Sequence, residues 1–263
     1  SGNGVLILGG HGSFTGGTTV EAGRVTNATG ASAATGALDV RSVTALGNGP
    51  ITLAGGTLTI NANVLDSETR DGFTYNLFGG ANGADVTVAS IAYSNGVALP
   101  ANATSLISLN STNTAPATGV SNVGVNTLTV NAPLLSLLGP ATAANRALLY
   151  VQETTTFTQD TVLRTTGRAF LALGGRIDAA GRTITKIGFN GDAGTAELVV
   201  TNTESGAGQN SVGLWKVYGG ILNARAANGA SNPLGSNVTV EINGGSTNYG
   251  LLLNSDGDGT LAT

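Results

Sequence analysis

The chain has no cysteine and no methionine, one histidine and one tryptophan. Without cysteine no disulfide can staple it, so burial and backbone ladders must supply its stability. The same lack suits a protein exported unfolded, because no premature disulfide can form on the way. One histidine and no cysteine exclude zinc and other soft-metal sites, which need several nitrogen or sulfur ligands. Only two lysines are present, Lys186 and Lys216, and the net charge is −4 with a pI near 4.8. A nucleic-acid surface needs clustered Lys and Arg to displace counterions, and nothing here supplies one. Charged residues make up 10% of the chain against roughly 25% in ordinary domains. No apolar run approaches the ~18 residues of a membrane-spanning helix, and the start carries no signal-peptide pattern. Because it opens on Ser1, the chain is expected to be a piece of a longer precursor.

What remains is 41% hydrophobic residues, enough for a core, and 41 glycines, about twice the usual share of ~7%. The glycines do not follow the three-residue period of collagen. They punctuate short aliphatic and β-branched segments instead. Glycine pairs stand at 9–10, 55–56, 79–80, 174–175, 219–220 and 244–245, with intervals near whole multiples of 23 or 24 residues. A period of that length is typical of solenoid coils, although the pair at 16–17 falls out of phase.

The segments 4–8, 18–20, 51–53, 57–60, 86–89, 127–130, 183–187, 196–200 and 238–242 are short, apolar or β-branched, and bounded by Gly, Asn or Asp, and so predict strands. Leu58-Thr59-Ile60 and Leu128-Thr129-Val130 alternate, which turns one side chain to the core and the next to water. Helix signals are scarce. The one candidate is 141–150, and a strand through 147–151 fits the same residues equally well. Seven Asn-Gly dipeptides mark tight turns, which serve as hairpin tips in a sandwich or as corners in a β-helix. The middle, 66–150, holds Pro100, Pro116, Pro133 and Pro140 and a Ser/Thr/Asn/Gly-rich tract at 110–125. Proline cannot donate to a ladder, so this part predicts irregular coils or a loop-bearing insertion within one solenoid spanning 1–263.

Residues 6–25, Leu-Ile-Leu-Gly-Gly-His-Gly-Ser-Phe-Thr-Gly-Gly-Thr-Thr-Val-Glu-Ala-Gly-Arg-Val, resemble the β-strand repeat of bacterial autotransporter passenger regions. That repeat runs from an apolar strand through Thr-Gly-Gly-Thr-Thr-Val to Ala-Gly-Leu. Glu21 stands where the repeat usually has Asn, and Arg24-Val25 where it has Thr-Leu. Residues 45–58 resemble the second half of the unit. A partial second copy runs through 213–222 and 233–240, without the central Thr-Gly-Gly-Thr-Thr. The resemblance implies a right-handed parallel β-helix, extracellular or on a bacterial cell surface, and implies no activity by itself.

Chemistry has few candidates. Glycoside cleavage needs two carboxylates roughly 5–10 Å apart. Asp66, Glu68 and Asp71 share one polar loop with Arg70, and apart from Phe73 and Tyr75 no aromatic cluster accompanies them as a sugar platform. A solvated turn with a local ion pair explains the same residues. His11, the sole histidine, would have to serve any Ser-His-Asp triad, yet it sits between glycines in an expected turn. Asn254, Asp256 and Asp258 match the front half of a calcium loop, with glycine at the sixth place. The bidentate acid expected twelfth falls beyond Thr263, and a polar turn fits as well. No other cofactor is expected.

The resulting expectation is an all-β right-handed parallel β-helix of about 11 coils, ~50 Å long at ~4.8 Å per coil. Its expected role is a non-catalytic stalk or fibre subunit. Its expected partners are neighbouring segments or copies of itself end to end, and surface glycans or cell surfaces, with neither nucleic acid nor membrane insertion. The alternatives are a carbohydrate-active β-helical enzyme, and an adhesin whose ligand loops come from 66–150.

Overall fold

A computed structural model describes residues 5–12, 15–21, 24–27, 30–33, 37–61, 68–70, 73–79, 83–89, 105–109, 122–139, 147–188, 196–202, 209–226, 232–243 and 250–255. Among the described residues every regular element is a strand, with no helix. Three large sheets of nine, eight and six strands contain nearly all of them. Pairing inside these sheets is parallel throughout, apart from one edge: Glu68–Arg70 runs antiparallel to Phe73–Leu77. A separate antiparallel hairpin joins Arg24–Asn27 to Gly30–Ala33. The 147–151 segment forms a strand, Ala147–Val151.

Parallel neighbours cannot be joined by a tight hairpin, so the chain must leave a sheet and return before adding the next strand. It does so in rotation. From Asn122–Val125 in the eight-stranded sheet it passes to Thr127–Val130 in the six-stranded sheet, then to Leu134–Leu138 in the nine-stranded one. The next circuit runs Ala147–Val151, Thr155–Phe157, Thr161–Thr166, and the next Ala169–Leu173, Ile177–Asp178, Thr183–Ile187. This order is compatible with a β-solenoid.

The register shows what holds the circuits together. On the inward face of the eight-stranded sheet, Val123, Leu149, Leu171, Leu198, Leu222 and Leu251 lie side by side in one file. Val20, Leu53, Val88, Val130 and Phe157 form a file in the six-stranded sheet. Leu38, Leu58, Ile107 and Leu137 do so in the nine-stranded sheet. The buried members of these files belong to one continuous apolar cluster. Burying each such side chain contributes ~1.5–3 kcal/mol, and the alternation seen at Leu58-Thr59-Ile60 is what aims it inward.

The spacing along the chain is not a fixed period. Ala37 pairs with Thr57, 20 residues on, whereas Thr57 pairs with Leu106, 49 residues on. In-register stacking constrains the strands and leaves the length of the connections free, so glycine-pair arithmetic follows the turns loosely. The described strands inside 66–150 join the same three sheets as those before and after it.

The middle of the eight-stranded sheet is covered on both faces. Ala147–Val151, Ala169–Leu173 and Glu197–Val200 are buried at every position. On its outward side Tyr75, Leu148, Tyr150, Phe170, Ala172 and Val199 form a second apolar cluster.

Candidate functional site

The carboxylate loop is only partly described. Asp66 and Asp71 lie outside the described residues, and Glu68 is described by its backbone, paired opposite Tyr75. Arg70 points to a residue far away in sequence: its guanidinium lies 3.2 Å from Glu153 Oε1, with both side chains exposed. An exposed pair of this kind contributes ~0–1 kcal/mol. The two rings beside the loop, Phe73 and Tyr75, are packed rather than presented to solvent. Tyr75 is fully buried and stacks on Tyr150 with centroids 4.5 Å apart and planes at 13°. Gln152 Nε2 donates to its hydroxyl at 3.0 Å. Gly124 explains the fit, since a Cβ there would collide with the Tyr75 ring. Phe73 is the half-buried member, tilted against Tyr150 at 5.9 Å and covered by the Arg225 guanidinium at 5.1 Å.

His11 is exposed, and its Nδ1 lies 2.6 Å from Thr44 Oγ1. Thr44 Oγ1 is in turn 3.2 Å from Ser42 Oγ, and Gly12 N donates to Thr44 O at 2.9 Å. The ring thus ties one turn to the next, and among the described residues no carboxylate is bonded to it. The calcium candidate falls at the end of Gly250–Ser255: Asn254 is described by its backbone alone, and Asp256 and Asp258 lie outside the described residues. Among the described residues no three His, Cys, Asp or Glu side chains gather as a metal site.

Among the described residues the ionisable group set deepest in the core is Lys186. Its strand, Thr183–Ile187, alternates like the others and puts Ile184 and Lys186 on the inward face. Lys186 therefore occupies an aliphatic file, beside Leu163 on one strand and Val217 on the next, with no exposed surface. The ammonium escapes the core by reaching the corner of the circuit. There Nζ donates to Ile187 O at 2.9 Å and to Gly219 O at 3.1 Å. The glycine pair 219–220 makes the space: Gly220 has φ +77°, and a Cβ on it would stand 2.9 Å from Nζ. Burial pushes the Lys186 ammonium from 10.5 down to about 7, opposed in part by the charge of Glu197. Glu197 is buried too, and accepts from Asn223 Nδ2 at 2.5 Å, while Asn223 Oδ1 is buried without a partner.

The sequence carried a signal for this site: Ile184-Thr185-Lys186 places a lysine on the apolar side of the alternation. A depressed lysine is a general-base or nucleophile candidate when a substrate can reach it. Lys186 is sealed, so the arrangement works as a polar plug tying two corners of the circuit. A small apolar cavity of about 10 Å³, lined by Leu58, Ile107 and Leu128 among others, lies in the core. It is about large enough for one water and has no polar group to hold it.

Compared with family models, with curated proteins and with solved structures, the chain matches none.

Proposed function

We propose that this protein is a right-handed parallel β-helix serving as a non-catalytic structural or adhesive scaffold, an autotransporter-passenger-like stalk or fibre unit at a bacterial cell surface. The observation that carries the reading is the in-register, parallel stacking of strands around one shared apolar core. A structure built this way grows by adding rungs, and each rung contacts only its neighbours. On this reading the nine strands of the largest sheet count as nine rungs. At ~4.8 Å each they span ~40 Å, shorter than the ~50 Å of eleven equal coils.

The terminal strands support a role as one segment of something longer. Val5, Leu6 and Ile7, in the first strand of the nine-stranded sheet, are 59%, 60% and 50% exposed. At the opposite end Ile242, Leu252 and Leu253 are 52%, 45% and 50% exposed. Leu6 continues the file of Leu38, and Leu253 that of Ala224. Leu6, Ile242 and Leu253 are thus core positions left open, since Ile242 continues the file of Val217, and a neighbouring segment or a second copy would cover them. The composition agrees: Ser, Thr, Asn and Gly cover the surface in place of charge.

Light scattering and negative-stain imaging of the purified chain, across a concentration series, test the reading. Elongated particles that lengthen with concentration are the expected result. A compact particle of unchanging monomer mass would count against the scaffold role.

A further inference from the structure

The outward face of the six-stranded sheet carries an unbroken file of threonines. In register on five successive strands stand Thr19, Thr52, Thr87, Thr129 and Thr156, and the file ends on Asp178. Their strand neighbours Val20, Leu53, Val88, Val130 and Phe157 are buried, so alternation turns these five toward solvent. Thr19 is exposed and the other four are half-buried, as shoulder-to-shoulder side chains on an open sheet face must be. Successive members are ~4.8 Å apart, and the five span ~19 Å.

Two features set this file apart from ordinary strand threonines. First, none of the five hydroxyls is hydrogen-bonded within the protein among the described residues. Neighbouring hydroxyls behave differently: Thr127 donates to Asp85 Oδ1 and Thr158 to Asn131 Oδ1, each at 2.7 Å. Second, the file contains only β-branched, uncharged side chains until Asp178; along the same face it is flanked on one side by Glu21, Ala54, Ala89 and Asn131 and on the other by Asp85 and Thr127, so charge borders the row without entering it. Threonine is stiff at χ1, so the row holds hydroxyl and methyl groups at a fixed repeat with little entropy left to lose.

A row of identical groups at a fixed repeat is matched by a surface with the same repeat. A soluble molecule meets one or two members; a crystal face meets all of them together. Sugar platforms rely on aromatic faces and polyanion sites on clustered cations, and the file has neither. Rows of water oxygens in ice repeat within a few tenths of an ångström of the strand spacing, and each threonine hydroxyl both donates to and accepts from water. We propose that the threonine file of the six-stranded sheet is an ice-binding face, its hydroxyls taking lattice positions and its methyl groups filling the gaps between them.

The test is partition of the fluorescently labelled full chain into a slowly growing ice hemisphere, with thermal hysteresis measured alongside. The wild type is expected to enter the ice and to depress the growth temperature. Thr87→Tyr and Thr129→Tyr, which project bulk from the middle of the row, are expected to lose at least tenfold in ice content. Thr59→Tyr, outward on the nine-stranded sheet beside Asp39 and Ser108, is expected to match the wild type. Unchanged circular dichroism melting confirms that each variant is folded, and Thr87→Lys is the replacement if a tyrosine variant is not. Exclusion of the wild type from ice would overturn the proposal. Equal partition of the row variants and the control, or retention on crystalline cellulose without entry into ice, would overturn it too.

Discussion

Replacing Lys186 by methionine keeps an unbranched apolar stem between Leu163 and Val217 and removes the ammonium. The lysine titrates near 7 when folded and at 10.5 when unfolded, which corresponds to ~5 kcal/mol borne by the charged form in the folded chain. Below about pH 7 both states hold the proton and the folded chain bears that cost in full. Between about pH 7 and 10.5 the folded chain releases the proton while the unfolded chain keeps it, so stability rises with pH across this window. The slope is ~1.4 kcal/mol per pH unit, or ~2–3 kcal/mol between about pH 7 and 9. Lys186→Met removes this dependence and also strips the donor from Ile187 O and Gly219 O, at ~1–3 kcal/mol each where they stay dry. At about pH 6 the gain and the loss leave the variant between ~1 kcal/mol below and ~3 kcal/mol above the wild type. At about pH 10 the variant is the less stable of the two. Denaturant midpoints at half-unit steps from about pH 6 to 10 report the difference, which is predicted to move by ~4 kcal/mol against the variant across that range. A difference that stays constant across that range would refute the reasoning, because the lysine would then titrate alike in both states.

Three further outcomes follow from the packing. Thr155 and Thr165 are buried, and their hydroxyls have no partner within the protein, so Thr155→Val and Thr165→Val should each raise stability by ~1 kcal/mol in urea titrations. Leu198 has no exposed surface and sits inside a six-member file; Leu198→Ala should cost ~2–5 kcal/mol, whereas Leu6→Ala at the open end should cost under ~1. Gly220→Ala should cost ~2 kcal/mol or more, since φ +77° disfavours any side chain and the new Cβ would meet Ala196 O and Lys186 Nζ; a thermal melt within a degree of wild type would contradict this.

The strands that alternate were legible in the sequence. Thr57–Ile60, Thr127–Val130 and Thr183–Ile187 stand on the predicted residues, and the segments at 4–8, 51–53 and 238–242 correspond to Val5–Leu8, Ile51–Ala54 and Thr239–Ile242. Strands buried on both faces have no alternation to read, and Ala169–Leu173 and Ala147–Val151 carry little to separate them from helix. Ile177–Asp178 is two residues long and exists by virtue of its pairing with Thr155 and Thr156. The Lys186 plug was visible as a lysine on an apolar face, but its carbonyl partners at the corner depend on how Gly219 is brought to it. The threonine file was illegible for the same reason: Thr19 and Thr156 are members of one row only once four registers are known.

Because the chain has no native cysteine, paired spin labels can be placed without background substitutions. Labels at Thr19 and Thr156 are four strands apart in the six-stranded sheet, as are labels at Thr52 and Asp178, while Thr19 and Asp178 are five apart. The parallel in-register arrangement predicts the same distance for the first two pairs, ~19 Å between backbones, and ~24 Å for the third. Unequal distances for the first two pairs, or a third pair no longer than either, would contradict the stacked arrangement on which the proposed scaffold and ice-binding roles rest.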